Sequence, residues 1–356
     1  MRYIGAKPKL LRWLFRHINR HAQAMGMDPS GIVFLDACTG TASVAVQAMK
    51  EGYKVIANDL LCFASHVARA QLCHPAARLP EARLMIDLLN RLNPMEGHFF
   101  RQYSSPVDEP YRPGKRRYLT SANAQQIDAA RTFIQGVKDP VMQSYLYYCL
   151  ILGIGRVDNT TGNHAAFLKG WRPEAKRGFT MSAPIVYGEA SAVVFNRDVL
   201  ELLDDPEFRQ SHAEDILYID PPYVSREYAP NYHLYEAAVS ATDPVVRGIT
   251  GLPEDYARST FCRPVETVAE FLEQIVRRTR ARLIAISYSS DSTVPLQRMM
   301  AAMFHGGCET VEVQAEPYQR YKSDSSEERD YRQDLLQEFL IIGHKTAPDD
   351  LDAFFG

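Results

Sequence analysis

An aspartate, two prolines and a tyrosine close an apolar run in ILYIDPPYVSREYAPNYHLYE, residues 216–236. The run predicts a buried strand ending at Asp220. Pro221 and Pro222 have no backbone N–H and fix the turn, so their carbonyls remain as acceptors. An ionised carboxylate only accepts hydrogen bonds. Asp220 beside a backbone carbonyl therefore suits a substrate that offers two N–H donors, such as an exocyclic amine. Tyr223 supplies a flat face for the ring that carries it. The same four residues could also be no more than a proline turn leaving a strand, and context decides between the two.

That context lies near the amino terminus. GIVFLDAC (31–38) reads as a short strand and TASVAVQAMKEG (41–52) as a helix with Gly52 as its stop. YKVIAND (53–59) reads as a second strand. Asp36 ends the first strand, Gly40 sits in the turn, Ala42 opens the helix and Asp59 ends the second strand. In open α/β sheets the strand ends face the ligand crevice, and an acid at the second strand suits ribose hydroxyls. A single glycine in the turn leaves open the alternative of a tight turn flanked by two solvated acids.

The elements that must position these residues alternate between strand and helix at both ends of the chain. EDILYIDPPY, TVAEFLEQIVRRTRARLIAISY, CETVEVQ and LLQEFLIIGHK read as strand, helix then strand, strand, and strand. Two late strands without a long helix between them predict an antiparallel pair closing a mostly parallel sheet. Residues 62–190 break the alternation with loops and shorter helices, which predicts an insertion into an α/β domain made of 1–61 and 191–356. The chain has 356 residues, 46% of them hydrophobic and 23% charged, enough for a large domain plus an insertion. Its amino terminus lacks a signal-peptide pattern, and its most apolar stretch, YLYYCLILGIG, falls short of the roughly 20 residues that span a bilayer. Six scattered cysteines form no C-x-x-C pair, which predicts neither a disulfide framework nor a zinc site and points to a reducing cytoplasm. A net charge of −3 leaves nucleic-acid binding to local basic surfaces.

Four segments in this order resemble the Dam-type, alpha-class S-adenosylmethionine-dependent N6-adenine DNA methyltransferases, including the branch that accompanies restriction systems. RYIGAKPKLL (2–11) is similar to the family's amino-terminal element, FLDACTGTASV (34–44) to its glycine loop, NDL (58–60) to its second-strand acid and DPPY (220–223) to its catalytic motif. Cys38 stands where the family usually has Phe, and Ala42 where it often has a second Gly. The resemblance implies a Rossmann-like class I methyltransferase fold with an inserted DNA target-recognition domain. It implies that Asp36, Gly40 and Asp59 hold S-adenosylmethionine, that Tyr3 and Lys7 close over its methionine end, and that Asp198 reads its adenine. Each has a bland counterpart: Tyr3 and Lys7 as surface residues, Asp198 as a helix cap.

The chemistry that follows is methyl transfer to the N6 amine of an adenine extruded from duplex DNA, with Asp220, Pro221, Pro222 and Tyr223 as the catalytic corner. DNA contact is expected from the insertion, through the basic Arg112, Lys115, Arg116 and Arg117 and through Asn163, His164, Lys169, Trp171 and Arg172. It is also expected from Arg226, Tyr228, Asn231, Tyr232 and His233 after the catalytic turn, and the charged stretch 319–333 reads as either backbone grip or solvated hairpin. Duplex DNA is the expected partner, with a cognate restriction endonuclease as a further one, no metal, no membrane and a cytoplasmic, nucleoid-associated location. Two other readings stand beside it: a methyltransferase for exocyclic amines of RNA, and a non-catalytic nucleic-acid-binding module on the same fold. A dehydrogenase fits less well, because the turn lacks the full G-x-G-x-x-G set.

Overall fold

The structure is a computed structural model that describes residues 9–186, 188, 192–222, 226–319 and 335–346. Tyr3, Lys7, Tyr223 and residues 320–333 lie outside the described residues. The chain divides into two compact units. The first contains Ala6–Leu60, Ser191–Glu227 and Arg258–Gly356; the second contains Leu61–Ala190 and Tyr228–Ala257. Residues 228–257 thus group with the second unit, although they follow the Asp-Pro-Pro-Tyr segment of the first in sequence.

The first unit is built on a seven-stranded sheet. Its strands are β1 (Val33–Asp36), β2 (Lys54–Asn58), β3 (Val193–Phe195), β4 (Ile216–Ile219), β5 (Leu283–Ser289), β6 (Thr310–Gln319) and β7 (Leu335–His344). The spatial order is β6-β7-β5-β4-β1-β2-β3. All neighbours are parallel except β7, which is antiparallel to both β5 and β6. The late antiparallel pair is therefore as expected, with β7 inserted between β5 and β6. Every residue of β4 and β5 is buried, which suits near-continuous apolar runs covered on both faces.

Alternation within β1 sends Phe34 and Leu35 to opposite faces. Helix α1 (Leu11–Ala24) covers one face, where Phe15 stacks on Phe34 with centroids 5.8 Å apart. Helix α2 (Ser43–Lys50) joins β1 to β2. The opposite face buries Leu35, Ile56, Leu217 and Ile284 against Leu202, Phe208, Leu272, Ile275 and Met299.

The second unit is helical: α3 (Cys62–Cys73), α4 (Leu79–Leu89), α5 (His98–Tyr103), α6 (Ser121–Gln135), α7 (Pro140–Val157) and α10 (His233–Val239). The expectation of loops and shorter helices was wrong for α6 and α7, which run 15 and 18 residues. The physical reason is the all-round apolar character of α7, whose buried positions include Met142, Tyr145, Leu146, Cys149, Leu150 and Ile154. A helix enclosed on every side carries little amphipathic periodicity. Asp139 starts it, accepting the amides of Val141 and Met142 at 2.9 and 3.0 Å. The remaining helices, α8 (Val199–Asp204), α9 (Pro206–Ser211), α11 (Val265–Arg278) and α12 (Leu296–His305), belong to the first unit. No helix among the described residues is long and apolar enough to cross a membrane.

Candidate active site

In the first unit the chain leaves β1 toward β2 on one side, and β4 leads to β5 on the other. The strand order therefore reverses between β1 and β4, the place where open α/β sheets bind ligands outside their carboxyl ends. Asp36 is the last residue of β1, Asp59 follows β2, Asp198 follows β3 and Asp220 follows β4. Parallel register sets them level: Asp36 lies opposite Ala57 on one side and Tyr218 on the other.

The turn after β1 is laced from within. Ala37 donates its amide to the Tyr218 carbonyl at 3.0 Å, and Thr39 to the Asn58 carbonyl at 2.9 Å. The Thr39 hydroxyl donates to Asp36 Oδ2 at 3.1 Å, and the Gly40 amide to Asp59 Oδ2 at 2.7 Å. Gly40 has φ 50° and Ala42 has φ 61°, the one positive φ outside glycine among the described residues. A side chain in that region costs roughly 1–2 kcal/mol. Ala42 is held there at the start of α2, fully buried, its N–H donating a hydrogen bond to the Thr39 carbonyl at 2.7 Å.

Asp36 is 1% exposed, and its Oδ1 has no hydrogen-bond partner. Burial pushes its carboxyl up to about 8, against the bond from Thr39, and the charges of Asp220 and Asp59 push the same way. Cys38 reports the convergence most fully. Burial drives its thiol well above the ordinary range, and the charges of Asp59, Asp36, Asp220 and Asp198 all add to the shift. All four strand-end acids are near enough to the loop for their charges to act on the Cys38 thiol. Asp198 also caps α8, its Oδ1 accepting the Leu200 amide at 2.9 Å, so the cap reading of this residue holds in the structure.

Two asparagines escaped the sequence reading. Asn58 is buried and donates to the carbonyls of Ala37 and Arg197 at 3.1 and 3.0 Å, while accepting the Arg197 amide at 3.2 Å. Asn196 donates to the carbonyls of Asp59 and Leu60 at 2.7 and 3.0 Å. Together they tie the ends of β1, β2 and β3 into one platform. The one available signal was that Asn58 immediately precedes the acid at the second strand.

A cationic, hydroxyl-bearing ligand fits this donor set: four carboxyl groups, one with a buried oxygen lacking a partner, around a glycine turn. The family model of D12 class N6 adenine-specific DNA methyltransferases matches residues 3–302. The chain belongs to that family. It is 30% identical over 352 residues to the Type II methyltransferase M.NlaIII of Neisseria lactamica, spanning 97% of this chain and 100% of that protein. It is 29% identical over 330 residues to the Type II methyltransferase M.CviAII of Paramecium bursaria Chlorella virus 1, spanning 91% and 93%. Modification methylase LlaI of Lactococcus lactis subsp. lactis is 28% identical over 365 residues, and there the match spans 97% of this chain and 55% of the relative. As a D12 class enzyme, the chain methylates adenine in DNA and takes its methyl group from S-adenosylmethionine. The RNA-amine and non-catalytic readings give way to that assignment.

Beyond the strand ends, the D12 enzyme places the expected DNA-contacting residues unevenly. Arg112, Lys115, Lys169 and Arg226 are exposed, and Asn163 is half-buried with its Oδ1 accepting the Ala165 amide at 3.0 Å. Arg116 is turned inward. It donates to the carbonyl and the Oε1 of Gln102 at 3.0 and 3.1 Å and to the carbonyls of Gly248 and Ile249 at 2.9 and 3.3 Å. Arg117 is 5% exposed, donates to the carbonyls of Lys169 and Glu109, and lies over the rings of Tyr111 and Trp171 at 5.7 and 5.3 Å. Arg172 donates to the Thr160 carbonyl and pairs with Glu174 at 3.5 Å. These three guanidinium groups brace loops, so the basic run is not the uniform phosphate-facing cluster that its composition suggested.

His164, Asn231, Tyr232 and His233 are buried, and Tyr228 is half-buried. His164 accepts the Tyr118 hydroxyl on its carbonyl at 2.7 Å and packs edge-on to Tyr235 at 4.5 Å. Burial lowers His233 to about 3, so it is neutral.

Proposed function

We propose that Asp220 and the carbonyl of Pro221 accept the two N–H groups of the target adenine's N6 amine. That nitrogen's lone pair is delocalised into the ring, and acceptors that hold both hydrogens favour the more tetrahedral geometry in which it becomes a nucleophile. S-adenosylmethionine, when bound, supplies an electrophilic methyl group on sulfonium sulfur. Asp36, Gly40 and Asp59 hold the cofactor, with Asp59 toward ribose and Asp198 toward adenine, and Tyr3 and Lys7 complete the site. Tyr223 stacks on the base, which is extruded from the duplex at a cost of a few kcal/mol. The amine's proton leaves readily once nitrogen is methylated and positively charged, so Asp220 serves as an acceptor and orienting group rather than a strong base.

The observation that supports this reading is the sheet topology: Asp36 ends β1, and Asp59 and Asp220 follow the neighbouring parallel strands β2 and β4, where the strand order reverses and the Gly40 amide donates to Asp59 Oδ2. Asp220→Ala should abolish methyl transfer while cofactor affinity stays within a few-fold of wild type. Turnover retained in that variant would remove Asp220 from the mechanism.

The second unit serves as the target-recognition region, meeting duplex phosphates through Arg112, Lys115 and Lys169, with Arg226 of the catalytic unit beside the extruded nucleotide. The Type II names of M.NlaIII and M.CviAII support a role in modification paired with a cognate nuclease. Mapping of methylated adenines in DNA from cells that express the chain would give the recognition sequence.

A further inference from the structure

Helix α4 of the second unit buries Ala82, Ile86 and Leu89 and turns Leu84 and Leu88 outward, 73% and 50% exposed. Glu81 and Arg91, both exposed, extend that outward row at its two ends. The helical path carries on past Leu89, with Asn90 in the right-handed region and the Arg91 amide donating to the Leu88 carbonyl at 3.0 Å. At about 100° per residue the four side chains fall within an arc of about 80°, on the side away from the buried residues.

A single exposed aliphatic side chain is ordinary and needs no explanation, but two leucines one turn apart form a continuous apolar strip. The charges at its ends say what covers it. The row reads acid, leucine, leucine, base with spacings of three, four and three residues, so a half-turn about its middle lays it on itself with the charges exchanged. Leu84 then meets the partner's Leu88, and Glu81 meets the partner's Arg91, at both ends of the contact. A parallel pairing would instead set acid against acid and base against base. Both charges are available for the antiparallel one. The Arg91 guanidinium has no partner among the described residues. The Glu81 side chain is 55% exposed, and Arg78, which lies 3.0 Å from it, also donates to Asp139 Oδ2 at 2.7 Å.

We propose that α4 is a contact between two copies of this chain, an antiparallel pair of helices related by a two-fold axis. The contact is separate from methyl transfer and does not depend on how the second unit meets DNA. A pair of helices of about three turns buries less than the roughly 1,200 Å² at which stable complexes begin, so the association is reversible and fills only at high protein concentration.

The test is sedimentation equilibrium of the full chain without DNA, carried into the high micromolar range. The average mass of the wild type should climb from one chain toward two. Leu84→Glu, which sets two carboxylates in the apolar strip, should weaken association about a hundredfold while the thermal midpoint holds. Glu81→Arg and Arg91→Glu, each of which turns two attractions into two repulsions, should weaken it about tenfold apiece. The Glu81→Arg, Arg91→Glu double variant restores opposite charges at both ends and should associate within about threefold of the wild type. Methylation of DNA at enzyme concentrations far below those of association should be the same in all five proteins. A wild type that stays a single chain would overturn the contact. So would association that Leu84→Glu leaves intact, or a double variant weaker than either single one. A loss of DNA affinity in Arg91→Glu with its mass curve unchanged would also overturn it, by giving this face to nucleic acid.

Discussion

Replacing Asp36 by asparagine should stabilise the free protein and damage its cofactor site together. Burial lifts the Asp36 carboxyl from its ordinary 3.8 to about 8. For a group whose folded pKa is raised, stability is fully present below the unfolded pKa, near pH 4, and is lost as pH rises through about 8. At pH 7 about three units of that shift are felt; at about 1.4 kcal/mol each, the carboxyl costs on the order of 4 kcal/mol. Asparagine keeps an acceptor for Thr39 and does not titrate. In scanning fluorimetry the variant should melt above wild type at pH 7, with a gap near zero at pH 4 that widens up to about pH 8. The difference between the two proteins cancels every other titrating group. Calorimetric titration with S-adenosylmethionine in two buffers of unlike ionisation enthalpy reads the other half. A cationic ligand beside the buried carboxyl should expel close to one proton at pH 7 from wild type and none from Asp36→Asn, which should also bind at least tenfold more weakly. A melting gap that ignores pH, or the same proton count in both proteins, would refute the assignment.

Other substitutions test the platform and the second unit. Ala42→Val places a β-branched side chain at φ 61° in a fully buried turn, and should cost about 2 kcal/mol or more in denaturant unfolding. Asn58→Ala removes three hydrogen bonds, one fully and two partly buried, across β1, β2 and the segment after β3; about 3 kcal/mol of stability and most of the cofactor affinity should go with it. His98 and His233 are lowered by burial to about 4 and about 3, so their contribution is intact above pH 6.5 and falls away below it. At pH 5 each should cost about 2 kcal/mol. Amide hydrogen exchange in α5 and α10 should then be faster than at pH 7 after correction for intrinsic rates.

The βαβ unit and the strand before Asp220 were legible because each is a short apolar run with an acid at its end and a glycine or proline after it. Such signals are local, and so is the helix stop at Gly52. Two kinds of feature were not legible. Helix α7 hides behind its uniformly apolar surface, and α12 lies in a stretch where no element was assigned. The role of Arg116 depends on partners 132 and 133 positions away, so a run of basic residues looks the same whether its guanidinium groups face phosphate or brace a distant hairpin. His164 and His233 likewise resemble base-reading groups by type and are core residues by burial. Asp198 shows the reverse situation: it is the cap of α8, and its charge also acts on the Cys38 thiol.

The most direct measurement is a crystal structure of the enzyme with a duplex carrying its site and a non-reactive analogue of S-adenosylmethionine. The account predicts an adenine outside the helix, its N6 within about 3.2 Å of both an Asp220 carboxylate oxygen and the Pro221 carbonyl oxygen. A target amine held by other groups, or a base lodged away from the crevice beside Gly40, would contradict it.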